Sequence, residues 1–104
     1  MATRIAIDSY VLDTLMADLV GHDKMPSAFV VYLFLWRQTA ATRARGVALS
    51  LRAIAEGTGL SKRAVQLAVA RLVRRGLIET ARSSVTATAR YSVMRPWRRK
   101  LQRA

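Results

Sequence analysis

The chain has 104 residues, no cysteine and one histidine, with 18 Lys and Arg against six Asp and Glu and a formal net charge of +12. That length suits one domain with a single core, the lack of cysteine excludes a disulfide framework and a thiolate metal site, and the excess of cations points to a polyanionic partner. The charge is also sorted along the chain: 1–36 hold Arg4 and Lys24 against Asp8, Asp13, Asp18 and Asp23, whereas 37–104 hold all the other cations against Glu56 and Glu79 alone.

Residues 1–7 read as a short extended arm. Asp8 or Ser9 can cap a helix running to about Val20, with Leu12, Leu15, Met16 and Leu19 on one face. A break at 21–25 follows, and Pro26 suits the first turn of a long helix that ends near Thr42 or Arg43. The centre of that helix, 28–36, is apolar all round, so more than one of its faces must be covered. A three-helix core covers one side; the 9–20 helix or a second copy of the chain covers the rest. Large exposed apolar patches are rare on soluble monomers. The expectation is therefore a two-fold homodimer with Leu12, Leu15, Met16 and Leu19 in its interface. The longest apolar run is too short to cross a membrane, and the N-terminus lacks the basic start and uninterrupted apolar run of a signal peptide. No membrane partner is expected, and the expected compartment is the cytoplasm.

Arg43-Ala44-Arg45-Gly46 reads as a turn and Val47-Ala48-Leu49 as a short strand. The next stretch, LRAIAEGTGLSKRAVQLAVA over 51–70, is the most informative: a helix, a tight turn and a second helix. Ser50 can cap the first helix and Ser61 the second. Glu56-Gly57-Thr58-Gly59 breaks the pattern between them, both glycines reading as turn residues. In the second helix Ala64, Val65, Ala68, Val69, Leu72 and Val73 recur at three- and four-residue steps and give one buried face. Arg74-Arg75-Gly76 ends it with cations near the carbonyl end and a glycine just past it. Residues 77–82 and 88–93 are rich in strand formers, with 83–87 as a hairpin loop. The end of the chain, with Trp97 and Leu101 four apart among cations, reads as either a short docked helix or a basic arm.

Ala55, Gly59 and Val65 stand at the spacing of a small crossing contact, a turn glycine and a buried β-branched residue, and Ile54, Leu60 and Ala68 fit around them. In this the chain resembles the helix-turn-helix family. The order helix, turn, helix, Gly76-Leu77-Ile78, hairpin is similar to a winged helix domain, and 49–82 looks like the DNA-binding modules of the GntR, MarR and Crp-type bacterial regulators. The resemblance implies a mainly α fold with a small β-hairpin, a winged helix-turn-helix preceded by an N-terminal helix. Its parts are an arm and dimerisation helix over 1–25, the winged domain over 26–94 and a basic tail over 95–104.

In a winged helix the second motif helix enters the major groove. Lys62, Arg63 and Gln66 lie off its buried stripe and are the candidate base readers. Leu67 also points partly away from the core, toward either a thymine methyl or a partner chain. Arg43, Arg45, Ser50, Arg52, Ser61 and Arg71 are placed for phosphates, and Arg82, Ser84, Thr86 and Arg90 flank or form the wing. Arg98, Arg99 and Lys100 belong to a tail of the kind that lies in a minor groove. The excess of Arg over Lys favours forked contacts to phosphate and guanine.

Catalysis finds little support. His22 stands in a break beside Asp23, and the aspartates at 8, 13, 18 and 23 are five apart and share no helix face, so no enzyme activity, metal or cofactor is expected. The expected function is sequence-specific binding of double-stranded DNA by a homodimeric bacterial transcription regulator on the nucleoid, without a small-molecule effector domain. The alternatives are a plasmid or phage replication or partition factor, and a nucleoid protein of low specificity.

Overall fold

The computed structural model describes residues 3–42 and 46–98. Arg43, Arg45, Arg99 and Lys100 therefore lie outside the described residues.

Residues 9–22 form one helical stretch, but not with the expected pitch. Val11–Leu15 and Asp18–His22 are π-helical: the Met16 N–H donates to the Val11 carbonyl and the Asp23 N–H to that of Asp18. Bonds that reach back five residues widen the turn, so residues four apart align. Val11, Leu15 and Leu19 consequently form the buried stripe, while Leu12, Met16 and Val20 lie exposed beside it. This corrects the expected face of Leu12, Leu15, Met16 and Leu19. Leu15 and Leu19 are enclosed by the chain's own core and are not available to a second copy in the folded state.

The long helix α1 (Pro26–Thr42) is the hub of the molecule. Helix α2 (Leu51–Thr58), helix α3 (Lys62–Arg74) and the π-helical stretch all pack on it. Tyr32 and Leu35 are fully enclosed, and among the described residues of α1 Val30 is the one exposed large apolar side chain. Each enclosed side chain of this size contributes roughly 1.5–3 kcal/mol. One chain thus covers α1, and the argument for a dimer from this helix falls.

The two motif helices form as their capping residues direct. The Ser50 and Ser61 hydroxyls accept the N–H groups of Ala53 and Ala64, each at 3.0 Å. Helix α2 runs on through Gly57, and only Gly59 turns, at φ 81°. Gly57 has a different task from the expected one: a Cβ there would collide with the Phe34 ring, so its hydrogen lets α2 close on α1. Helix α3 ends in a Schellman cap. Gly76 at φ 71° donates to the Val73 carbonyl at 3.0 Å, Leu77 donates to that of Leu72 at 2.9 Å, and both leucines are buried.

Strand β2 (Ile78–Ala81) and strand β3 (Arg90–Val93) form an antiparallel hairpin with Ile78 opposite Val93 and Thr80 opposite Tyr91. Strand β1 (Val47–Ala48) adds to the other edge of β3, with Val47 opposite Tyr91, giving the order β1-β3-β2. The chain is thus mainly helical with a small three-stranded antiparallel sheet.

Candidate nucleic-acid interface

Two helix N-termini and the hairpin converge on one groove. Its lining includes Ser50, Arg52, Lys62, Arg82, Thr88 and Tyr91, around a cavity of ≈ 250 Å³. A second depression of ≈ 380 Å³ lies between Gln66, Val69 and the hairpin. The exposed side of α3 carries Lys62, Arg63, Gln66, Leu67, Ala70, Val73 and Arg74, opposite the buried Val65, Ala68 and Leu72. Among the described residues no carboxylate stands within 4.0 Å of Lys62, Arg63 or Arg82. Arg52 meets Glu56 one turn on at 3.5 Å, but both side chains are largely exposed, and such pairs are weak. Positive charge, two helix N-termini and neutral hydroxyls thus face the same space. At the loop tip the Ser84 and Thr86 hydroxyls are 3.4 Å apart, and Arg82 reaches the Val85 carbonyl only at 3.5 Å.

Three expected members lie elsewhere. Arg71 is turned toward Asp23, with Nη1 3.8 Å from the carboxylate, whose side chain is 4% exposed. Arg98 clasps Asp8, its Nε and Nη2 each donating at 2.7 Å. Arg90 precedes Tyr91 on β3, and alternation along a strand sends its side chain to the other face of the sheet. There its Nη2 donates to the Gly46 carbonyl at 2.9 Å. The physical reason is shared by Arg71 and Arg98: a nearby partner on the same chain outbids solvent for a guanidinium.

The missed residues are the acids that make these pairs. Arg75 joins Asp18 at 2.8 Å and Asp23 at 3.3 Å, so the N-terminal aspartates neutralise an arginine at the carbonyl end of α3. The hydrogen bond from His22 and the nearby guanidinium groups of Arg75 and Arg71 hold the Asp23 carboxyl below its usual range, against the effect of burial. Asp8 is brought down to about 2, chiefly by its bond to Arg98. Asp8 also accepts from Trp97 Nε1 at 2.8 Å. Trp97 stacks between Tyr10 and Trp36, with ring centroids 4.7 and 6.5 Å away, which docks the start of the tail as a helical turn at 96–98. The only signal in the sequence for these pairs is the acidic N-terminal half itself.

Among the described residues there is no cluster of three metal-ligating side chains, and no helix is long and apolar enough to cross a membrane. Comparison with protein-family models, curated proteins and solved structures finds no match for the chain.

Proposed function

We propose that the chain is a sequence-specific, double-stranded DNA-binding regulator built as a winged helix-turn-helix. In this reading α2 and α3 are the helix-turn-helix and the loop after β2 is the wing. The observation that carries it is the groove in which Arg52, Lys62 and Arg82 converge beside the exposed first turns of α3. Lys62, Arg63 and Gln66 then read base edges, while Arg52, Arg82 and the two capped helix N-termini hold phosphates on either side. The exposed row of Leu12, Met16 and Val20 supports a homodimer, which would set two copies of α3 about 34 Å apart on an inverted repeat.

Selection from a random duplex library, followed by titration of the selected site against scrambled DNA at fixed salt, tests the reading. A preference of ~10³-fold or more is expected of specific binding. Equal binding to both duplexes would leave a low-specificity nucleoid protein, and absence of binding to either would end the proposal.

A further inference from the structure

Leu67 is an unexplained residue on the exposed side of α3. It is 45% exposed, and so is Val73 near the end of the helix at 44%, whereas Val65, Ala68 and Leu72 are buried; only Leu67 stands level with the base-reading candidates Arg63 and Gln66. Neither a capping bond nor the core accounts for it. Its helical neighbours are Arg63 one turn before, Gln66 beside it, Ala70 three residues on and Arg74 two turns on, all exposed. Leu67 and Ala70 therefore form a small apolar step between two arginines. Among the described residues neither Arg63 nor Arg74 has a carboxylate within 4.0 Å.

That setting selects the occupant. A second protein surface pressed on Leu67 would bury Arg63 and Arg74 unless it supplied carboxylates, and an unpaired buried charge is strongly unfavourable. The second copy of this chain offers few of them. Of its six side-chain carboxylates, Asp8, Asp18 and Asp23 are engaged by Arg98, Arg75 and Arg71 and Glu56 meets Arg52, which leaves Asp13 and Glu79. A DNA groove offers the opposite combination: phosphates along both edges for the two arginines and, on its floor, one apolar group, the C5 methyl of a pyrimidine.

We propose that Leu67, with Ala70, takes the C5 methyl of a thymine or a 5-methylcytosine and so fixes one base position of the target. This rests on the DNA-binding reading and deepens it: Arg63 and Gln66 read polar edges, and Leu67 reads a methyl group. Leu67 is then a specificity-determining residue, and the site carries a methylated pyrimidine next to the bases read by Arg63 and Gln66.

The test uses the selected duplex with each thymine in turn replaced by uracil, which removes the methyl group and nothing else. A matching series replaces each cytosine by 5-methylcytosine. The full chain and Leu67→Ala are titrated by fluorescence anisotropy, with thermal melts to show that the variant is folded. Loss of one thymine methyl should weaken the full chain roughly three- to fivefold, the worth of one buried methyl group. Leu67→Ala should bind the thymine and uracil duplexes alike. If the sensitive position is instead a cytosine, methylation should strengthen binding by a similar factor, again only with Leu67 present. Specific binding that is indifferent to every methyl change overturns the inference while leaving the DNA-binding reading intact. A Leu67→Ala chain that changes oligomeric state in light scattering but keeps its response to uracil also overturns it, in favour of a protein contact. Failure of the full chain to bind any duplex removes both.

Discussion

The division of arginines between paired and unpaired sets can be read from salt dependence. Replacing Arg52, Lys62 and Arg82 together by Gln removes the three cations that line one groove. Each is exposed, so none supports the core and the fold should survive. If each holds one phosphate, the slope of log affinity against log salt should flatten by about 2.7 for each copy bound, at about 0.9 per contact. Between 50 and 200 mM salt the variant should then lose roughly 40-fold less affinity per bound copy than the parent. The companion variant replaces Arg71 and Arg98 by Gln, cations facing Asp23 and Asp8. Its slope should stay within about 0.5 of the parent, because removal of a neutralised charge releases few counterions. Anisotropy titrations on one labelled duplex across a salt series measure both slopes. Equal flattening in the two variants would refute the sorting of arginines into paired and unpaired sets, and no flattening in the first would refute the groove as a phosphate seat.

The pitch of the N-terminal helix makes neighbouring leucines unequal. Leu15→Ala should cost about 2–5 kcal/mol in a denaturant melt, whereas Leu12→Ala should stay within about 0.5 kcal/mol; the reverse order would restore the conventional helix face. Leu12→Glu with Met16→Glu should keep the fold and, in light scattering, give monomers. Gly57→Ala should destabilise despite better helix propensity worth about 1 kcal/mol, because overpacking against Phe34 costs ~1–3 kcal/mol; a more stable variant would mean that the ring moves aside freely. Asp8 has a depressed folded pKa of about 2 against 3.8, so its contribution is present above about 3.8 and lost as pH falls through about 2. Near-ultraviolet dichroism from the stacked Trp36 and Trp97 should therefore weaken across that window, and Asp8→Asn should lack the transition.

Much of the motif was legible because its rules are local. Ser50, Ser61, Gly59 and Gly76 act within four residues of themselves, and the hairpin needed only two runs of strand formers around 83–87. The strand at Val47 was equally local in composition, although its partner Tyr91 is far along the chain. The N-terminal helix was legible as a helix but not in its facing. A π-helical turn moves the stripe by one residue, from Leu12 and Met16 to Val11, and nothing in the apolar spacing announces which carbonyl an N–H will choose. Gly57 was misread for a related reason: its value lies in how near Phe34 comes, which only the packed helices reveal. The longest blind spot was ionic. Asp8 and Arg98 meet across 90 positions, and composition alone tells that acids exist, not which arginine each takes.

That ionic pattern gives α3 a direction. At its first turn the capped N-terminus and the cations Lys62 and Arg63 add positive potential of the same sign. At its last turn Arg71 and Arg75 face Asp18 and Asp23, while the helix's own carbonyl end is negative. Dipole and paired side chains therefore reinforce one another, and on the side that faces the aspartates potential falls from Ser61 toward Arg75, while Arg74 keeps its charge on the exposed side. A chain of net charge +12 with cations spread evenly would attract a polyanion to any face, since screening leaves only the charges within about 8–10 Å of contact to decide orientation. Pairing Arg71 and Arg75 confines the attractive region to the groove and the exposed side of α3 that carries Lys62, Arg63 and Arg74. On this argument the N-terminal aspartates orient the encounter rather than strengthen it, so charge-neutral replacement of Asp18 and Asp23 should raise affinity for random DNA more than for the selected site, and competition between the two duplexes would show the loss of preference.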